Sequence, residues 1–174
     1  LWIFSAQRRN DPKRLDRIKI IFERWNESFP EDQENLERLQ IFITESKIQE
    51  LTRDENWTGL STFIRSEVLA GRITLEDQRF NQLLFAEKKL GNWSGILSAY
   101  KLLQIYNSKL SGTVRALIDQ AKANANIGEE ELSLKYYQLA IEAKPMNEDD
   151  KVKQNEIKQF LTNRTFQKWI DQGE

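Results

Sequence analysis

Asn-Trp-Thr-Gly at positions 56–59 returns as Asn-Trp-Ser-Gly at positions 92–95, a spacing of 36 residues. A fainter copy starts at Gly128. When Leu90-Gly91 is set on Ile127-Gly128, Tyr100 meets Tyr137 and Leu102 meets Leu139, at a spacing of 37. A period of this length holds two helices and a break. Such a pair cannot bury its own apolar faces, so copies must stack on one another. This constrains the chain more than any other feature: it predicts an all-α stack of antiparallel helical hairpins.

Composition agrees. The 174 residues include only 7 glycines and 3 prolines, too few for the many turns of an all-β chain. Periodicity places the elements. Asp11-Pro12 is a helix start, with a capping residue followed by proline at the first helical position. Leu15, Ile18, Phe22 and Trp25 then share one face, and Phe29-Pro30 ends that helix. A second helix begins near Glu31 and breaks at Thr52 to Asn56. The third, from Trp57, stops at Gly71. Thr74 with Asp77 suggests a capping box for the fourth, which Gly91 closes. The fifth runs from Trp93, the sixth from Val114 to Gly128, and the seventh ends before Pro145. Glu148 to Leu161 reads as an eighth, and Phe166, Trp169 and Ile170 suggest a short ninth. The expectation is about 8–9 helices in one domain over 12–174, after a tail at 1–11, because the short links make neighbours antiparallel.

The stretch Val114 to Pro145 resembles the tetratricopeptide repeat family. Ala121, Ser133 and Ala140 match its small residues, Gly128 its turn, Tyr137 an aromatic packing position and Pro145 its close. Residues 90–103 look like the same turn into a second helix. The best copies are 80–110 and 114–145, with 148–171 as capping helices. The resemblance implies a tetratricopeptide-like α-α superhelix that holds a protein or peptide segment on its groove, as a non-catalytic scaffold or adaptor.

Candidate groove residues come from the first helix of each pair. They are Gln82, Glu87 and Lys89, then Arg115, Gln120, Lys122 and Asn124. Gln120 and Asn124 lead, being polar where the family packs apolar groups. Trp57 and Trp93 read as packing anchors, with a groove-lining pair as the alternative. Gly59 and Gly95 then read as room for the tryptophan rings, since glycine inside a helix otherwise loses roughly 1 kcal/mol against alanine.

Other chemistry finds little support. There is no cysteine and no histidine, which removes thiolate nucleophiles, zinc–thiolate sites and the commonest general base and metal ligand. No phosphate loop or nucleophile elbow is written, so no catalytic, cofactor or metal residue is expected. Seven acids against two bases lie between Glu129 and Asp150. They read as helix first turns, where carboxylates complement the positive end of the dipole.

The amino-terminal end is apolar, then basic: seven Lys/Arg against three Asp/Glu from Leu1 to Arg24. It reads either as a helix start or as the juxtamembrane tail of a membrane helix preceding Leu1, which would make this the soluble part of an anchored protein. Two alternatives to the scaffold stay open. One is nucleic-acid binding through Arg8, Arg9, Lys13, Arg14, Arg17 and Arg24, which a net charge of −1 disfavours. The other is the regulatory region of a larger enzyme.

Overall fold

The computed structural model describes residues 14–106 and 111–172, and the Asp11-Pro12 start, Arg8, Arg9 and Lys13 lie outside them. Eight helices are seen among the described residues. They are α1 (Arg14–Ser28), α2 (Gln33–Arg53), α3 (Trp57–Leu69), α4 (Asp77–Lys89), α5 (Trp93–Tyr106), α6 (Val114–Asn126), α7 (Glu130–Glu142) and α8 (Glu148–Gln172). The described residues contain no strand. The fold class is the one the period demands. One boundary differs: the eighth and ninth helices are a single helix, α8. No glycine or proline stands between Glu148 and Gln172, so nothing interrupts the backbone ladder.

The chain divides into two compact units, Leu1–Ile73 and Thr74–Glu174. In the first, α1 packs on α2 and α2 on α3. Its core is a stripe from each helix: Ile18 of α1; Leu36, Leu39, Ile48 and Leu51 of α2; Leu60, Ile64 and Val68 of α3. The carboxylate of Asp32 caps α2 and also accepts the Trp25 Nε1 proton at 3.2 Å, tying the end of α1 to the start of α2.

In the second unit, α6 and α7 make the most extensive pairing, and Ala121, Ser133 and Ala140 are almost wholly buried. Small side chains let two helices approach closely, so dispersion contacts accumulate along the seam. Val114, Leu117, Ile118, Ala140 and Ile157 form the core cluster, with Tyr137 and Leu161 packed against it. Ile157 brings in α8. Gln154 of α8 fastens that helix further: its side-chain amide donates to the carbonyls of Ala140 (2.8 Å), Ile141 (3.1 Å) and Ala143 (2.8 Å). Ala140 and Ile141 lie in the last turn of α7, where carbonyls lack helical partners, and Ala143 is its C-cap. The acidic clusters are helix starts. Glu130 and Glu131 open α7, and Glu148, Asp149 and Asp150 open α8, where the Asn147 side chain accepts the Asp150 N–H at 2.9 Å.

Three of the links are the same object. The N–H of Asn56 bonds the Leu51 carbonyl at 2.9 Å, that of Asn92 the Glu87 carbonyl at 3.0 Å, and that of Glu129 the Asn124 carbonyl at 2.9 Å. Each closes a helix whose next residue is left-handed: Gly91 (φ 62°), Gly128 (φ 85°) and, in the first copy, Glu55 (φ 51°). The first copy therefore keeps the turn without the glycine.

The recurring tetrapeptide is a cap rather than a tryptophan anchor. Asn56 accepts the Gly59 N–H at 2.9 Å, and Asn92 accepts that of Gly95 at 3.0 Å. Trp57 and Trp93 are only half-buried. A methyl group added to Gly59 would meet the Asn56 side chain, and one added to Gly95 would overlap the Glu87 carboxylate and the Asn92 amide. The glycines leave room for the capping side chain, not for the indole. This corrects the reading of the tryptophans as the reason for the glycines.

Candidate functional site

The second unit has a cleft of about 120 Å3 between α4, α5 and α6. Its floor is Phe80 and Leu84 of α4, Tyr100 of α5 and Ala116 of α6, all buried. Phe80 and Tyr100 meet edge to face, with centroids 5.1 Å apart at 70°. Asp77 and Asn81 stand on the α4 side of the rim, Arg115 and Asp119 on the α6 side. The spacing explains the pairing: residues four apart share a helix face.

Asp119 organises the site. Its Oδ2 accepts the Tyr100 hydroxyl at 3.0 Å and the Lys88 ammonium at 2.9 Å. One carboxylate thus joins all three helices. Burial pushes the Tyr100 hydroxyl far above the ordinary phenol range, and the Asp119 charge adds to the effect. Tyr100 is therefore a fixed donor at any physiological pH. Lys88 crosses from α4 to α6, and the ion pair is partly shielded, with side-chain exposures of 42% and 15%.

Arg115 lies in the first turn of α6, where a cation opposes the helix dipole and no acid accompanies it. It is exposed and forms no ion pair among the described residues. Asp77 is likewise exposed. A residue kept against the local rule, over a cleft, is where an external ligand is expected to compensate.

The seven groove candidates divide. Arg115 and Lys122 are exposed on one face of α6, with Asp119 between them. Lys89 is exposed too, its ammonium 5.4 Å from the Phe85 ring centre. Gln82 is half-buried and accepts from Arg79 at 2.7 Å. Glu87, Gln120 and Asn124 are turned inward, at 1%, 4% and 3% exposure. Gln120 donates to the Ala116 carbonyl at 3.3 Å and Asn124 to the Gln120 carbonyl at 2.8 Å, each one turn back on its own helix. They are core amides and do not face a partner. Asp77, Asn81, Lys88, Tyr100 and Asp119 were missed. On α4 the available signal is the helix phase: with Phe80, Leu83 and Leu84 inward, positions 77, 81 and 88 fall along one edge of the buried arc.

On α1, Arg17, Lys19 and Arg24 are exposed but interleaved with exposed Asp16, Glu23 and Glu27. Among the described residues no cluster of three or more metal-ligating side chains occurs, and no helix is long and apolar enough to cross a membrane.

No protein-family model, curated protein or solved structure matches the chain. The reading of the site rests on its geometry.

Proposed function

We propose that the chain is a non-catalytic interaction module of the tetratricopeptide-like kind, holding a partner segment along the α4–α6 face of its second unit. The observation that carries this is the rim of the cleft. Asp77, Asn81 and Arg115 are exposed on α4 and α6 around an apolar, aromatic floor, and Lys122 is exposed beyond the rim on the same face of α6, while Lys88, Asp119 and Tyr100 lock those helices together. A rigid, mixed-charge rim over a hydrophobic floor is the anatomy of a recognition surface: a small apolar anchor site with polar groups that set register.

The test is affinity capture from the source organism with the wild-type chain, the double variant Arg115→Glu/Lys122→Glu and a control reversal, Lys135→Glu, on the exposed side of α7. The expected result is a stoichiometric partner that the control keeps and the double variant loses by tenfold or more, about 1.4 kcal/mol, with unchanged melting temperatures. A partner held equally by all three chains would move the site elsewhere.

A further inference from the structure

We infer that the first unit carries a binding site for a small amphipathic carboxylate, in the cleft where α1, α2 and α3 meet. This site is separate from the proposed partner face. The cleft measures about 430 Å3, within the size range of small-molecule sites. Each helix contributes one apolar wall: Phe22 from α1, Ile43 from α2 and Phe63 from α3, all only partly covered by the fold. Carbon surface therefore remains for a ligand body to cover.

The polar groups around it favour an acceptor-rich head. Thr44 lines the cleft at 2% exposure, and its hydroxyl has no hydrogen-bond partner among the described residues. A buried hydroxyl left unmatched is costly, so such a group points to a missing ligand atom or water. Arg72 is already oriented: its Nε and Nη2 donate to the buried carboxylate of Glu67 at 2.7 and 2.6 Å. A guanidinium has five N–H donors, so three remain on a group that Glu67 holds in place. Lys19 lines the same cleft without an ion-pair partner among the described residues, whereas Lys47 is held by Glu50 at 3.0 Å. Against these donors and the Gln40 amide, Glu23 is the one lining acid not already engaged. Donors outnumber acceptors. A carboxylate head with a short aliphatic or aromatic body satisfies both the hydroxyl and the guanidinium, while an ammonium head would face Arg72 and Lys19.

Octanoate, octylammonium and acetate, titrated separately into the 15N-labelled full chain, test this. Octanoate is expected to shift the amide resonances of Phe22, Thr44, Phe63 and Arg72 saturably. Octylammonium and acetate should bind at least about tenfold more weakly, one carrying the opposite charge and the other lacking the body. Thr44→Val keeps the side-chain shape and removes the hydroxyl. It should weaken octanoate about fivefold or more while leaving the melting temperature unchanged or raised, which a merely structural threonine would not do. Lys19→Ala, at an exposed position, should weaken octanoate without touching the fold. Equal binding of octanoate and octylammonium, no saturable shifts at these amides, or full octanoate affinity in both variants would each overturn the assignment.

Discussion

The Asn56–Gly59 and Asn92–Gly95 turns share a cap, a hydrogen-bonding pattern and a half-buried tryptophan, yet they are built on different foundations. Behind the first stands Leu51, behind the second Glu87, each supplying the carbonyl that closes its turn. Glu87 does more: its carboxylate, 1% exposed, accepts the Asn92 side-chain amide at 2.7 Å. The second turn is a continuous relay from the Gly95 N–H to the Asn92 oxygen, and from the Asn92 nitrogen to a buried charge. The first stops at the cap. One sequence motif therefore carries two different energetic loads, set by a residue five positions upstream.

The largest consequence falls on the glycines. Gly95→Ala drives a methyl group into both members of the relay, and it should destabilise by about 3 kcal/mol through overpacking and loss of a charged hydrogen bond. Gly59→Ala meets only the movable Asn56 side chain. There the gain in helix propensity, about 1 kcal/mol, offsets the loss of the cap, and the melt should stay within about 0.5 kcal/mol of wild type. Equal losses in chemical denaturation would remove the distinction between the two turns.

Next come the caps. Asn56→Ala should cost about 1 kcal/mol, the ordinary value for an N-cap. Asn92→Ala takes away the cap and a donor to a buried carboxylate, and should cost about 2 kcal/mol or more. The double variant Asn92→Ala/Glu87→Leu sharpens the point. With leucine restored to the place it holds in the first turn, the excess cost should largely disappear, which a double-mutant cycle reads directly.

The helices, their turns and the all-α class were legible because a period is a local property, repeated often enough to survive noise. Gly91 and Gly128 announced left-handed residues. What sequence could not give was which polar side chains point inward. Gln120 and Asn124 differ from Arg115 and Lys122 only in helix phase, and the buried arc depends on where α5 and α7 pack, which residues far along the chain decide. The missed site residues have the same cause: Asp119 matters because Lys88 and Tyr100 reach it from two other helices. Gln154 was equally silent, since a glutamine on a charged helix gives no hint that three carbonyls at the end of another helix await it.

A smaller effect separates the two turns at their left-handed residue. Glu55 adopts φ 51° where Gly91 adopts 62°. A side chain in that region costs roughly 1–2 kcal/mol. Glu55→Gly should therefore raise stability by about 1 kcal/mol, and Gly91→Ala should lower it by a similar amount. Opposite signs at equivalent positions would show that the two turns share one backbone despite their different residues.

The smallest predicted effect uses a third cap to sharpen the comparison of the first two. Asp32 caps α2 as the asparagines cap α3 and α5, but its oxygen titrates. Hydrogen bonds from Asn35, first its side-chain amide at 2.9 Å and then its backbone N–H, hold the carboxyl below the usual carboxylate range despite some opposing desolvation. The folded value is depressed below the unfolded one of about 3.9. The stabilisation is thus complete above that value and is lost as pH falls through the folded value. Asparagine also caps well, so Asp32→Asn should keep the helix start and remove its acid sensitivity. Acidification affects the whole chain, so the measurement is a difference: melting temperatures of wild type and Asp32→Asn at pH 6 and pH 3. The wild type should lose slightly more on acidification. Because Asp32 is only half-buried and screened by solvent, the gap should be smaller than any of the effects above, and identical losses would mean that the charge of the cap contributes nothing beyond what an asparagine supplies at the other two.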